Sequence, residues 1–190
     1  MPRRSGAEIA RLASLFAGLA LLVVFARPQP VPTLAGGILV ALGEAIRIWA
    51  AGHLLKTRLL VTSGPYRYTR NPMYLGRLLI LSGLVTMAWL PYGLSLLLLT
   101  ASWGLFLGYY MPRKERVEPA RLLLLHGEAY AAYRRAVPAL FPRPSPWKAG
   151  SERAWCRARF HRSREILTIV GLTLLALLIV MSGEGGSPGW

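Results

Sequence analysis

The sequence lacks aspartate, and for its length it has little charge and almost no cysteine. All eight acidic residues are glutamate, and charged residues make up 16% of the 190-residue chain, against about 25% in ordinary soluble domains. The single cysteine, Cys156, excludes an intramolecular disulfide framework. No second cysteine or pair of histidines lies near it in the sequence, so we expect no metal site and an ordinary thiol on a reducing side.

Apolar residues and positive charge are what the chain has in excess. Hydrophobic residues make up 54%, and the formal net charge is +15. Such a charge often indicates nucleic acid or an anionic surface as the partner. Here the basic residues fall between long apolar runs, and no nucleic-acid recognition motif accompanies them. The pattern therefore predicts a membrane protein and no nucleic-acid partner.

Five apolar stretches predict helices that cross a bilayer. The stretch 78–112 carries no charge but is too long for one span, and Pro91 and Gly93 near its middle predict a turn. The first stretch could also be a signal peptide, but Arg27 and Pro28 make a poor cleavage site, so we expect an uncleaved helix. The predicted spans are 9–26, 33–55, 74–90, 92–111 and 166–183.

The distribution of basic residues predicts the orientation. With the amino terminus in the cytoplasm, the inner segments are 1–8, 56–73 and 112–165. Of the 23 Lys and Arg residues, only Arg27 then lies in an outer segment, which is the asymmetry expected of cytoplasmic loops. We expect a multi-pass protein of a prokaryotic inner membrane, with its amino terminus and its active site on the cytoplasmic side.

The chain divides into four parts. Residues 1–43 hold the first span and the start of the second, and residues 166–190 hold the last span and a tail. Between them, 44–142 carry the motifs described next, and 143–165 form a basic cytosolic linker. Apolar periodicity predicts helices over 121–126 and 128–137 on the inner leaflet, followed by four prolines that break regular structure. They are Pro138, Pro142, Pro144 and Pro146.

A polar, aromatic and basic segment, 62–76, lies between the second and third predicted spans. Its sequence is TSGPYRYTRNPMYLG. Pro72 fits the first turn of the third helix, with Asn71 as its N-cap. The free amides and positive end of such a helix favour a bound carboxylate. By itself the segment could be a linker before a capped helix.

Together with a second block, this segment resembles a known superfamily. Residues 64–76 are similar to the signature of the isoprenylcysteine carboxyl methyltransferase and phospholipid methyltransferase superfamily, and 46–53 also resemble one of its helices. The resemblance covers 44–142, about half of the chain. The second block matches the family pattern at Glu118, Leu122, Gly127, Tyr130, Tyr133, Val137 and Pro138.

Three positions depart from the family pattern. Asn71 stands where most members have histidine, and His126 stands where they have another aromatic residue. Pro119 follows Glu118 where the family has a second glutamate, and Glu115, one helical turn earlier, could replace that carboxylate. A non-catalytic membrane scaffold that has lost turnover is therefore one alternative.

A second alternative is an NADPH-dependent membrane reductase. Proteins of the sterol-reductase type look similar around 70–76. They usually carry an acid soon after the glycine, whereas this chain has Arg77 there. The sequence therefore favours the methyltransferase over the reductase.

The resemblance implies an all-α integral membrane enzyme with about five spans and a cytosolic helical cap over a pocket for S-adenosylmethionine. The acceptor would be lipid-like or small and amphiphilic, and it could react at an amine, a carboxylate or a thiol; the oligomeric state stays open. A sulfonium favours tyrosine faces and a carboxylate, and the methionine carboxylate needs donors. The candidate catalytic residues are Arg70, Glu118 and Arg47. The candidate cofactor-binding residues are Tyr66, Arg67, Tyr68, Asn71, Pro72, Met73, Tyr74, Gly76, Glu118, Tyr130 and Tyr133.

Several of these residues also have plainer interpretations. Arg67 and Arg70 could be positive-inside anchors, and the tyrosines could be interfacial or packing residues. Glu44 and Arg47, spaced i, i+3 on the second predicted span, can pair with each other. The apolar run 122–125 is the predicted lid that shields the site from water.

Overall fold

The computed structural model of the protein describes residues 6–54, 59–163 and 165–184. Within these ranges the regular structure is helical and contains no strand. The all-α expectation is therefore confirmed for the described part of the chain. The helices are α1 (Gly6–Val24), α2 (Pro30–His53), α3 (Pro72–Ala88), α4 (Leu94–Leu105), α5 (Met111–Ala136), α6 (Arg157–Arg162) and α7 (Glu165–Glu184).

The predicted turn between the third and fourth spans is confirmed. Helix α3 ends at Ala88, and a short 3₁₀ turn over Pro91–Gly93 leads into α4. The Ser95 hydroxyl closes the turn, because it accepts a hydrogen bond from the Leu90 amide at 2.8 Å and donates one to the Val85 carbonyl at 3.1 Å. The chain thus reverses direction where proline and glycine interrupt the apolar run.

Three helical stretches among the described residues are long and apolar enough to cross a membrane. They are Pro30–His53, Pro91–Ala136 and Glu165–Gly183, and Pro72–Ala88 is a shorter apolar helix. A helix also covers most of the first predicted span, at Gly6–Val24. The structure therefore supports an integral membrane protein, while the count of five spans stays a prediction.

The long stretch that begins at Pro91 continues well beyond the predicted fourth span. A π-helical turn over Phe106–Tyr110 joins α4 to α5. Pro112 follows that turn, and its missing amide removes one ordinary helical hydrogen bond there. Helix α5 contains the two helices predicted over 121–126 and 128–137, and Gly127, at φ 52° and ψ −133°, kinks it between them.

Helices α2 and α3 pack with their backbones in close approach. A Cβ atom added at Gly36 would lie 2.4 Å from the Gly83 carbonyl oxygen, and one at Gly43 would lie 2.6 Å from that of Gly76. The glycines on each helix are seven residues apart, about two turns, so they share one face. Small residues of this kind allow helices in a membrane to approach closely. The pairing aligns α2 and α3 along their length.

An apolar cluster joins α1, α2, α3 and α7 at one end of the bundle. The Arg27 amide donates to the Ala88 carbonyl at 2.8 Å, which ties the α1–α2 connection to the end of α3. The end of α2 and the starts of α3 and α7 therefore lie together at the other end, which we call the cavity end. The buried members of the cluster are Val40, Ile80, Leu84, Met87, Ala88, Leu90, Leu175 and Ile179.

Candidate active site

The loop between α2 and α3 is anchored to the end of α2. Its 3₁₀ turn begins at Gly64, which has φ 56°. A Cβ atom there would lie 2.4 Å from the His53 ring, so glycine is needed for this close passage. His53 is buried, and its Nδ1 and the Ser63 hydroxyl form a hydrogen bond of 3.0 Å. His53 thus holds the loop.

The proline-containing segment 138–150 lies along this loop and brings the two motif blocks together. The Arg70 amide donates to the Pro138 carbonyl at 2.9 Å, and the Asn71 side-chain amide donates to the Ala139 carbonyl at 2.8 Å. Proline carbonyls can accept hydrogen bonds although proline has no amide hydrogen to donate. Three further bonds run from the Thr69 hydroxyl to Leu140 O (2.8 Å), from Arg143 N to Tyr68 O (3.0 Å) and from Trp147 N to Arg67 O (3.0 Å).

Asn71 precedes α3 as expected, but its side chain does not cap the helix. Its Nδ2 donates to Ala139, and its Oδ1 accepts a hydrogen bond from Lys114. The nearby amides are partly occupied, since the Asn71 amide binds the Thr69 hydroxyl at 3.3 Å and the Tyr74 amide binds the Asn71 carbonyl at 3.1 Å. Asn71 therefore ties the loop to α5 as well as to segment 138–150.

The two blocks enclose a cavity of about 170 Å³, which we call the inner chamber. Arg70 and Asn71 line it from the first block, and Glu115, Glu118 and Tyr133 line it from α5. Tyr66, Tyr130 and Leu122 also contribute to its wall. Of the predicted lid 122–125, only Leu122 belongs to this wall, and the other three leucines are exposed. Residues far apart in the sequence thus meet around one space.

Arg70 is the main source of unused hydrogen-bond donors in the inner chamber. Its Nη2 donates to Glu115 at 2.8 Å, and its side chain is 11% exposed. Its Nε and Nη1 are buried and have no partner among the described residues. Buried donors without partners are costly. The guanidinium therefore keeps hydrogen-bonding capacity at the chamber wall that the described residues do not use.

Lys114 connects three residues that the sequence analysis singled out. Its ammonium pairs with Glu118, donates a hydrogen bond to Asn71 and lies 4.8 Å from the centre of the Tyr74 ring. Glu118 is about half exposed, and Lys114 is mostly buried. Lys114 was not predicted as a site residue, because three other basic residues, Arg113, Arg116 and Arg121, lie near it in the chain. Its i, i+4 spacing to Glu118 was the available signal.

Tyr66 and Tyr133 form a buried polar contact behind the inner chamber. The Tyr133 hydroxyl donates to the Tyr66 carbonyl at 2.7 Å, and both side chains are buried. Burial raises the pKa of the Tyr66 hydroxyl well above its usual range, and the negative charge of Glu165 raises it further. Tyr66 therefore stays protonated and can donate a hydrogen bond.

A second cavity, of about 380 Å³, adjoins the first, and we call it the outer chamber. The two chambers share the wall residues Leu54, Tyr66, Arg70, Asn71, Lys114 and Glu118. Six residues line the outer chamber but not the inner one. They are Pro72, Met73, Tyr74 and Arg77 from the start of α3, Ser163 just before α7, and Glu165 at the start of α7. Its size falls within the roughly 300–1,000 Å³ of small-molecule sites.

Arg47 pairs with Glu165 and not with Glu44, so the predicted i, i+3 pair is wrong. Arg47 Nε and Nη2 donate to the same oxygen, Glu165 Oε2, at 3.1 and 2.5 Å, and both side chains are buried. The first residue of α7 is near enough in space to compete with the neighbour along the helix. Arg47 does not line the outer chamber, but its partner Glu165 does.

An apolar groove of about 510 Å³ opens beside the outer chamber, between α3 and the end of α4. Leu78, Leu81, Leu105 and Phe106 line it. Tyr74 and Arg77 line both the groove and the outer chamber. The groove therefore connects an apolar surface of the helices to the polar cavities.

Four of the predicted site residues line neither chamber: Arg47, which binds Glu165, and Arg67, Tyr68 and Gly76. Arg67 Nε donates to the Trp147 carbonyl at 2.9 Å, and the Tyr68 ring packs against Trp49 at 6.0 Å. Gly76 faces α2, where an added Cβ would lie 2.6 Å from Arg47 Cγ. Arg67 and Tyr68 thus stabilise the loop, and Gly76 allows α3 to pack closely against α2. The predicted residues that line the chambers are Tyr66, Arg70, Asn71, Pro72, Met73, Tyr74, Glu118, Tyr130 and Tyr133.

Comparison with known proteins agrees with the resemblance. Residues 31–111 match the family model described as phospholipid methyltransferase. The cobalt-zinc-cadmium resistance protein CzcN of Cupriavidus metallidurans is 35% identical over 114 residues, which are 59% of this chain and 50% of that protein. The chain thus spans about half the length of the curated relative it matches. No solved structure matches the chain.

Proposed function

We propose, from the match of residues 31–111 to the phospholipid methyltransferase family model, that the protein is a membrane methyltransferase that uses S-adenosylmethionine to methylate a lipid-like or small amphiphilic acceptor. The observation that carries the proposal is Arg70. Its buried guanidinium has two nitrogens without partners among the described residues, and it lies where the two motif blocks meet. A carboxylate is the group that such a fork binds best, and S-adenosylmethionine carries one.

The residues that line the inner chamber suit the charge of this cofactor's sulfonium group. S-adenosylmethionine supplies a methyl group on a positively charged sulfur. Tyr66 and Tyr130 offer aromatic faces toward such a cation, and Glu115 and Glu118 offer negative charge. Glu115 thus provides a second carboxylate beside Glu118, although Pro119 occupies the family's usual position. The reductase and scaffold alternatives have no comparable observation in their favour.

Alignment is the main contribution that the protein would make to the reaction. Methyl transfer needs the acceptor atom about 3 Å from the methyl carbon and in line with the breaking bond. The two chambers share lining residues, so a donor in the inner chamber and an acceptor in the outer one would be adjacent. Arg70 would orient the donor, and Tyr74 and Met73 would confine the acceptor. Lys114 would hold Glu118 and Tyr74 in place.

The acceptor would enter through the apolar groove. Leu78, Leu81 and Phe106 would bind its apolar part, and Tyr74 would border its reactive group. Arg77, exposed at the rim shared by groove and outer chamber, would contact a polar headgroup at the membrane surface. A lipid-like acceptor would thereby reach a polar site without leaving the bilayer.

The proposed topology has five spans with the cavity end in the cytoplasm. The basic segments 56–73 and 112–165 then lie on the inner side, as the positive-inside rule requires. Residues 112–136 of α5 and the segment 138–150 would form the cytosolic cap. Residues 44–142 would be the catalytic core, followed by the linker 143–165 and the last span. Fusion of a reporter to either terminus would test the orientation.

Cofactor binding tests the proposal directly. The protein in lipid nanodiscs should bind S-adenosylmethionine and S-adenosylhomocysteine in calorimetry, and it should not bind NADPH. Glu118→Ala should weaken S-adenosylmethionine binding by about tenfold, because it removes a contact worth about 1–2 kcal/mol. Tyr74→Ala should weaken it as well, because the Tyr74 ring holds Lys114 beside Glu118. The matched control is Glu128→Ala, since that carboxylate is 92% exposed.

The outcomes separate the three functions. Binding of S-adenosylmethionine, followed by transfer of radiolabelled methyl into a lipid extract, would support the methyltransferase. Binding of NADPH alone would indicate the reductase, and binding of neither ligand would indicate the scaffold. Unchanged affinity in both Glu118→Ala and Tyr74→Ala would contradict the assignment of these residues.

A further inference from the structure

The outer chamber contains a carboxylate that neither motif block supplies. Glu165 is the first residue of α7, beyond the segment 31–111 that matches the family model. It lines the outer chamber but not the inner one. It is buried, with its side chain 9% exposed. The last helix therefore adds a charged group on the side where the acceptor is proposed to bind.

The segment before α7 fixes the position of this carboxylate. The Trp155 indole donates to the Ile48 carbonyl at 3.1 Å, and the Cys156 amide donates to the Gly52 carbonyl at 3.1 Å. A Cβ atom at Gly52 would lie 1.9 Å from Trp155 Nε1, so the segment lies directly on the end of α2. Packing this close leaves Glu165 little freedom to move away from Arg47.

The ion pair leaves one carboxylate oxygen available. Arg47 binds only Oε2, through two nitrogens. Within the described ranges, Oε1 accepts no hydrogen bond, and Glu165 lies in the chamber wall. Two apolar side chains of similar volume would hold α2 and α7 together at least as well as a buried ion pair does. The pair is therefore better explained by what it presents to the chamber than by packing alone.

We infer that Glu165, held by Arg47, is an acceptor-positioning residue that selects an acceptor bearing a hydrogen-bond donor, such as an amine, over one bearing a carboxylate. This inference rests on the proposed methyltransferase function. Glu165 Oε1 would accept a hydrogen bond from the methyl acceptor. This bond would orient the lone pair of the methyl acceptor toward the inner chamber. An alkylammonium acceptor would first lose a proton to water; the lone pair of the neutral amine would then form the bond to the methyl carbon while the carbon–sulfur bond breaks and its electrons return to sulfur.

The movement of charge in this reaction favours the same acceptor. As the new bond forms, the positive charge leaves sulfur and develops on an amine nitrogen, which keeps its protons. A fixed carboxylate beside that nitrogen stabilises the developing charge. A carboxylate acceptor would instead be repelled by Glu165 in a cavity of low dielectric constant. Of the other cations there, Arg70 would hold the carboxylate of the cofactor, Lys114 pairs with Glu118, and Arg77 lies at the exposed rim.

Matched six-carbon probes test the inference. The protein in nanodiscs is saturated with S-adenosylhomocysteine, and the binding of hexylamine and hexanoate is measured by calorimetry. We expect wild type to bind hexylamine at least about tenfold more tightly than hexanoate, because a hydrogen bond to a charged group contributes that much. In Glu165→Gln the preference should fall to less than about threefold, while the affinity for S-adenosylhomocysteine changes by less than about threefold.

Two controls separate positioning from folding. Glu128→Gln removes an exposed carboxylate away from both chambers and should keep the preference of wild type. The double variant Arg47→Met with Glu165→Met replaces the ion pair by apolar side chains, so it should remain folded and also lose the preference. Equal binding of the two probes by wild type, or an unchanged preference in both Glu165 variants, would overturn the inference. Failure of wild type to bind S-adenosylhomocysteine would instead contradict the proposed function itself.

Discussion

The α2–α3 interface and the two chambers use the same helices, yet different forces hold them. At the interface, Gly36 and Gly43 bring backbone against backbone, and the aliphatic part of Arg47 packs beside Gly76. At the chambers, Arg70 and Lys114 connect segments that are distant in the sequence through ion pairs and hydrogen bonds. The first region depends on the small volume of its side chains, and the second depends on the charge and hydrogen-bonding groups of its side chains.

The two regions therefore have separate roles. The glycine contacts set the distance between α2 and α3, and through it the position of Arg47 beside Gly76. The polar contacts determine what the chambers can bind. We therefore expect substitutions at the interface to change stability more than ligand affinity, and substitutions in the chambers to do the reverse.

Arg70→Met should give the largest effect. It removes the proposed anchor for the cofactor and leaves Glu115 without its partner in the chamber. Loss of one member of such a pair costs roughly 2–5 kcal/mol, so S-adenosylmethionine binding should weaken by at least about 30-fold in calorimetry. The control is Arg135→Met, since Arg135 is 75% exposed. Equal affinity in the two variants would contradict the role of Arg70.

Gly36→Ala against Gly37→Ala tests the interface with two neighbouring residues of one helix. A Cβ atom at Gly36 would lie 2.4 Å from the Gly83 carbonyl oxygen, whereas one at Gly37 meets nothing within 4 Å. The first variant should lose about 1–3 kcal/mol of stability through overpacking. The second should gain up to about 1 kcal/mol from helix propensity. Thermal unfolding in detergent measures both, and equal melting temperatures would refute the close approach.

Tyr133→Phe should have an intermediate effect, on both stability and cofactor affinity. It removes the 2.7 Å hydrogen bond to the Tyr66 carbonyl but keeps the packing of the ring. The loss should be about 1 kcal/mol in stability, with a smaller loss of cofactor affinity. The same change at Tyr92, which is 97% exposed, should alter neither. A Tyr133 variant with the stability of wild type would show that this bond does not hold the loop.

Glu128→Gln should give the smallest effect, which sets the lower limit of the comparison. Glu128 and Arg135 are both exposed, and their charged groups are 3.7 Å apart. Exposed pairs contribute about 0–1 kcal/mol. Stability and cofactor affinity should both remain near those of wild type. A loss of affinity above about threefold would mean that this surface takes part in binding.

Much of the helical framework could be predicted from the sequence, because its signals are local. The apolar runs predicted the helices, Pro91 and Gly93 predicted the turn between α3 and α4, and Pro72 predicted the start of α3. The meeting of the two motif blocks was expected from their resemblance to a family. Nothing within either block alone would have required it.

The missed features are contacts between distant residues. Arg47 has Glu44 nearby on its own helix, yet it binds a carboxylate 118 residues away. Gly76 lies in the motif, but its role in the close contact with α2 needs the facing Gly43, which only the packing reveals. Lys114 lies among other basic residues. In each case the residue type is visible in the sequence, whereas its spatial neighbour is not.

Photo-crosslinking tests most directly whether both motif blocks form one cofactor site. The protein in nanodiscs is irradiated with S-adenosylmethionine that carries a radiolabel, and the labelled peptides are identified by mass spectrometry. We expect label in peptides from both 66–74 and 114–133, and its loss when excess S-adenosylhomocysteine is present. Label in only one of these segments, or in neither, would contradict a shared pocket.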